Sequence, residues 1–227
     1  MSQKLILILI LCSTVNIFGQ DSKPPNIVMM IGDGMGLSAI SSGMYSNNNY
    51  TSLERSEYIG LSKTHSFDDL VTDSAASATA MSSGVKTNNK VIGLDSNDNS
   101  VETILEMCIK LGYSTAIVVT SSIVHASPAS YYAHVENRYE YDKIANQLSK
   151  SKVDFFIGGG EKYFINRSDK RNLIKEMNKY YFPKNLDEYQ KSNSKKIGFL
   201  TAYEEPIEKY KNREYSLDEA VEITIQK

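Results

Sequence analysis

Three short segments of this chain carry side chains whose types and spacing could do chemistry. The first is Gly32-Asp33-Gly34-Met35-Gly36, an acid inside a glycine turn. A carboxylate there suits a hard divalent cation, and the glycines let backbone and cation approach closely. It does not suit a pyrophosphate, and the dinucleotide fingerprint fails because Leu37 stands where its last glycine belongs. A plain tight turn with Asp33 as an Asx-turn residue fits the segment equally well. The second is Thr72-Asp73-Ser74-Ala75-Ala76-Ser77-Ala78-Thr79-Ala80. A helix start presents free N–H groups to an anion, and a serine placed there can act as a nucleophile. Small neighbours would leave room for a bulky anion and metals, although on its own the segment reads first as a capped Ala-rich packing helix. The third is His125-Ala126-Ser127-Pro128, followed by Asn137-Arg138. Ser127 offers a hydroxyl oxygen to a hard cation, and Arg138 is a natural two-pronged clamp for phosphate, although on its own the segment reads first as a proline-initiated helix with Arg138 on its solvated face.

Stepping out to the elements that must position these groups, short apolar runs alternate with helical stretches. Runs at 26–31, 114–120 and 153–157 predict buried strands, and 58–63 predicts an edge strand. Helices are predicted at 37–44, 72–83 with Gly84 as stop, 101–111, 141–149, 170–181 and 217–226. Alternation of this kind predicts an α/β fold with a largely parallel sheet flanked by helices on both faces. In such sheets chemistry gathers at the carboxyl ends of the strands, so the segments just after the first two buried strands draw most attention.

Taken in order, the three segments, with the later strand running into Gly158-Gly159-Gly160, resemble the alkaline phosphatase family. The resemblance covers about 25–227 and is strongest over 26–36, 71–84 and 113–164. It implies an exported phosphomonoesterase that works with two zinc ions and one magnesium, through a phosphoserine on Ser74. By the same resemblance, Asp33 would bridge one zinc and the magnesium. Ser74 would also touch a zinc, Ser127 would ligate the magnesium and His125 would reach it through water. Asp73 would hold Arg138, and Arg138 would clamp two phosphate oxygens. His65 and His134 match no functional position. Related sulfatases would carry a proline at the place of Ala76, so that pattern fails.

The resemblance also sets an expectation about what is missing. Family members draw most zinc ligands from a Glu, an Asp-x-x-x-His segment, an Asp-His pair and a final His, and no residue here matches them. The expected chain is therefore the N-terminal part of the enzyme, 20–227, with the C-terminal half absent and two-zinc catalysis not sustained alone. The alternative is a non-catalytic remnant with weak phosphate or metal binding.

The remaining sequence bounds the partners. Lys4, the apolar run Leu5–Leu11 and a small residue near position 19 predict a signal peptide over 1–19, hence a periplasmic or extracellular protein. That run is too short for a membrane span. With 25 basic against 27 acidic residues, net charge −2, nucleic acid is not the expected partner; phosphate monoesters are the expected substrates, and the resemblance implies a homodimer. Removing the signal leaves Cys108 as the one cysteine, which its apolar helical neighbours predict to be a buried structural thiol.

Overall fold

The computed structural model describes residues 25–227, so the expected signal peptide over 1–19 lies outside the described residues. The chain divides into two compact units, Met1–Gly32 and Asp33–Lys227. In the first, the described residues form no assigned strand, contrary to the expectation for 26–31. Ile27 and Met30 are 71% and 80% exposed. A continuous apolar run becomes a two-sided buried strand only where layers cover both faces, and that cover is absent among the described residues.

The second unit is built on a three-stranded parallel sheet, β1 Ala116–Ser122, β2 Phe155–Gly159 and β3 Ile197–Leu200, in the order β1-β2-β3. Ala116 pairs with Phe155 and Phe155 with Ile197, while the β1–β2 register shifts between Val118 and Ser122. Successive side chains of a strand point to opposite faces. Ile117 and Phe156 accordingly join a core with Ile144, Leu148, Phe164 and Leu173. Phe155, Ile157 and Phe199 join a second core with Tyr189, Ala220 and Ile223. The helices behind those residues are α5 Tyr141–Lys150, α6 Lys162–Ile165 and α7 Leu173–Glu176 on one face. On the other lie α8 Leu186–Lys191 and α9 Leu217–Ile225. The expected arrangement, a parallel sheet covered on both faces, is the one observed.

Ahead of the sheet come α1 Leu37–Ser46, α2 Ser74–Ser83 and α3 Ile104–Lys110; the short α4, Ala126–Ala129, follows β1. Gly84 closes α2 in the left-handed conformation, φ +75°, which a side chain rarely adopts. Thr103 and Glu106 form a capping box that starts α3 later than the apolar pattern indicated.

Three further expectations fail. Residues 58–63 form no strand, and Tyr58, Ile59 and Leu61 are exposed. Aromatic and branched residues favour a strand only where a neighbour and a core receive them. The basic helix over 170–181 shrinks to α7, because Lys170 turns left-handed and the Asn172 side chain caps a new start by accepting from the Lys175 N–H. Cys108 is half-buried rather than enclosed, since α3 leaves one side to solvent. Among the described residues no helix is long and apolar enough to cross a membrane.

Candidate active site

Asp73 organises the first part of the site. It is the N-cap of α2, and its Oδ1 accepts the Ala76 N–H at 2.9 Å. Its Oδ2 faces the other way and accepts from the Lys90 N–H at 3.0 Å and from Arg138 Nη1 at 3.1 Å. The same Arg138 nitrogen donates to Ser74 Oγ at 2.8 Å. Arg138 and Asp73 are largely enclosed, with 15% and 24% of their side chains exposed. Ser74 therefore stands at the first position of a ten-residue helix with a fixed guanidinium on its hydroxyl. The first N–H groups of a helix lack intrahelical acceptors and carry a partial positive charge, so the guanidinium and the positive end of α2 lie at the same place as the Ser74 hydroxyl.

The small residues after Ser74 serve packing rather than open space. Ala75, Ala76 and Ala78 are buried, and α2 lies against α4. Ser82 Oγ donates to the Ser130 carbonyl at 2.6 Å, which locks the two helices together. Serine and alanine permit that approach where larger side chains would hold the backbones apart.

The second part of the site is carried by the segment leaving β1. Ser127, on α4, donates from Oγ to Asp33 Oδ2 at 2.6 Å. His125 caps α4 without a side-chain bond to its backbone, and its Nε2 lies 3.9 Å from Glu205 Oε1. Glu205 Oε2 accepts the Ser122 N–H at 2.7 Å, tying the end of β1 to the loop after β3. Sequence reading missed Glu205, because β3, whose carboxyl end it follows by five residues, was itself not legible in the sequence. It missed Asn89 as well, whose Oδ1 accepts the Asp73 N–H at 2.9 Å.

The structure thus joins Asp73, Ser74 and Arg138 in one cluster and Asp33 with Ser127 in another, on two packed helices. His125 stands beside Glu205. His65 bonds the adjacent Ser66 carbonyl. His134 spans the Gly93 carbonyl at 2.6 Å and Glu106 Oε1 at 3.0 Å, and so braces α3.

The donor chemistry separates the two expected metals. Asp33 and Ser127 supply oxygens within 2.6 Å of each other, which fits a magnesium-like cation. Zinc needs three or four protein ligands. Among the described residues no group of three or more His, Cys, Asp or Glu could hold a metal ion. The residues present fit part of a magnesium site and do not fit a complete zinc site.

Comparison with known proteins decides the family. The family model described as alkaline phosphatase matches residues 24–225. The chain belongs to the alkaline phosphatase family. Alkaline phosphatase 4 of Bacillus subtilis is 43% identical over 167 residues, which cover 66% of this chain and 36% of that enzyme. Alkaline phosphatase of Escherichia coli is 35% identical over 173 residues, covering 63% of this chain and 37% of that enzyme. Among solved structures, alkaline phosphatase from the Antarctic bacterium TAB5 aligns with a TM-score of 0.81 at 38% identity. That alignment covers 86% of this chain and 58% of the Antarctic enzyme. A substituted form of the Antarctic enzyme has Mg bound in its M3 site. The matched stretch thus spans little more than a third of the length of either curated enzyme.

Proposed function

We propose that this chain carries the nucleophile and the phosphate clamp of an exported, metal-dependent phosphomonoesterase. The observation that supports the reading is Arg138 Nη1 bridging Asp73 Oδ2 and Ser74 Oγ at the start of α2. A planar guanidinium offers parallel N–H donors that match phosphate oxygens, and Asp73 fixes its position in advance. The arginine and the free N–H groups of α2 then offset charge on the equatorial oxygens of the transferring group.

That placement supports a two-step reaction through Ser74. Ser74 Oγ gives its proton to solvent water, its negative form favoured by the arginine donor, and forms a bond to phosphorus as the ester P–O bond breaks. The departing alkoxide takes a proton from water. Water then attacks the phosphoserine, releasing inorganic phosphate and returning the hydroxyl to Ser74. Asp33 and Ser127 would hold a magnesium ion, with His125 beside it. A bound divalent ion supplies charge stabilisation and an activated water. The substrates are phosphate monoesters in general, because the groups assembled address the phosphoryl end alone. The expected signal peptide over 1–19 supports export to the periplasm or beyond. Two zinc ions and a homodimer belong to the proposal for the whole enzyme and rest on the family alone.

A second reading is favoured by the incomplete metal donor set among the described residues. It makes the chain a phosphate-binding remnant without turnover. One experiment separates the two. The chain is incubated with p-nitrophenyl phosphate, zinc and magnesium, quenched in acid and digested for mass spectrometry. A phosphoryl adduct on the Ser74 peptide supports the phosphomonoesterase. Saturable binding of inorganic phosphate without adduct or turnover supports the remnant, and neither result removes both.

A further inference from the structure

The Lys90 peptide touches both halves of the phosphate clamp. Its N–H donates to Asp73 Oδ2 at 3.0 Å, and its carbonyl accepts the Arg138 backbone N–H at 2.8 Å. With the bond from Arg138 Nη1 to Asp73 Oδ2, these contacts close a circuit of three residues far apart in sequence. The peptide reaches both partners because Lys90 is left-handed, φ +73°. An exposed lysine in that region is strained, and such strain persists only where surrounding contacts hold it.

Asn89 supplies that hold. Its Oδ1 accepts the Asp73 N–H at 2.9 Å, its Nδ2 donates to the Val71 carbonyl at 2.9 Å, and its own N–H donates to Asp68 Oδ1 at 2.9 Å. Asp68 is fixed in turn by the Ser66 hydroxyl at 2.9 Å. The Asn89 side chain thus spans both sides of Thr72 and sets the backbone that enters α2, while the next peptide fixes the Asp73 carboxylate. A rotation of Asp73 would move its Oδ2 and release Arg138 from Ser74.

We propose that Asn89 and the left-handed Lys90 peptide are positioning residues for the phosphate clamp, acting through Asp73 on Ser74 and Arg138. The inference rests on the proposed phosphoryl-transfer reading for its purpose and on the bonds above for its geometry. It assigns the Lys90 role to the backbone, so the lysine side chain is dispensable.

The test uses the 15N-labelled chain, with amide and guanidinium NMR signals and inorganic phosphate as the probe. Asn89→Ala is expected to shift the Asp73 amide and the Arg138 side-chain signals. It is also expected to weaken phosphate about tenfold, the scale of a lost hydrogen bond or two between side chain and backbone, with the melting temperature nearly retained. Asn89→Asp keeps the acceptor and is expected to keep the Asp73 signal, and it stands in if the alanine variant fails to fold. Lys90→Gly keeps both peptide groups and is expected to bind phosphate as the unsubstituted chain does. Unmoved Asp73 and Arg138 signals in Asn89→Ala overturn the proposal, as does loss of the Asp73 signal in Asn89→Asp. A phosphate loss in Lys90→Gly equal to that in Asn89→Ala does so too, by placing the effect in the ammonium. If the unsubstituted chain binds no phosphate, the phosphoryl-transfer reading falls, and the NMR signals alone decide the brace.

Discussion

The hydroxyl of Ser127 donates to Asp33 Oδ2 at 2.6 Å, joining two residues 94 positions apart. The contact brings the glycine turn and the segment after β1 to one place, and it presents two oxygens of the kind hard cations choose. Asp33→Asn is expected to remove most divalent-ion affinity at this place. Ser127→Ala is expected to weaken it about tenfold, the scale of disturbing one member of a metal's surroundings. Water-proton relaxation in a Mn2+ titration of the chain measures both. Equal affinity in all three proteins would return the pair to an ordinary turn contact.

Arg138 and lysine are not equivalent in the clamp. The guanidinium reaches Asp73 and Ser74 from one nitrogen and retains further donors in a fixed fork, whereas an ammonium is a point charge. Arg138→Ala is expected to weaken inorganic phosphate by roughly ten- to a hundredfold, from the about 1.5–3 kcal/mol of a charged hydrogen bond. Arg138→Lys is expected to recover part of that loss. Isothermal titration with phosphate is the measurement. Full recovery by lysine would mean that charge alone, without the fork, holds the anion.

What sequence could reveal here followed the range of the forces involved. The start of α2 was legible because a cap at Asp73 and a left-handed Gly84 are local devices that flank a ten-residue helix. β1 and β2 were legible as continuous apolar runs, displaced by about two residues because ladder bonds, not composition, set the ends. β3 was missed: it has four residues, and its Gly198 only makes sense beside the Phe156 ring that fills the space. Asn89 and Glu205 were missed for a similar reason, since each acts on a partner brought in by the fold. The runs at 26–31 and 58–63 failed in the other direction. Their composition describes an environment that the described residues do not provide.

The Glu106 carboxyl gives a pH dependence of known sign. Burial raises its pKa, but bonds from His134 and from the Thr103 N–H outweigh burial and hold it below the ordinary 4.5. A carboxyl lowered in the folded state stabilises fully above its unfolded value, and that contribution is lost as pH falls through the folded value. Denaturant midpoints of the unsubstituted chain are therefore expected to drop between about pH 5 and pH 3 by more than those of Glu106→Gln. Parallel profiles would show that the His134–Glu106 brace contributes nothing to stability.

Arg167 provides the sharpest stability test away from the site. Its side chain is 4% exposed, and Nη1 donates to the Asp142 and Tyr163 carbonyls at 2.9 and 3.0 Å. Nε and Nη2 grip the two Asp169 oxygens at 2.9 and 2.7 Å, which pulls that carboxyl down to about 2. The buried member of the pair is the cation. Removing it leaves two carbonyls short of a donor and a carboxylate that still reaches water, so Arg167→Met is expected to cost about 2 kcal/mol. Asp169→Asn leaves the guanidinium enclosed with less opposing charge, and burying an undercompensated charge is the more expensive fault. It is expected to destabilise more than Arg167→Met in urea unfolding at neutral pH. The reverse order would show that the carbonyl bonds, not the ion pair, hold α5, α6 and the approach to α7 together.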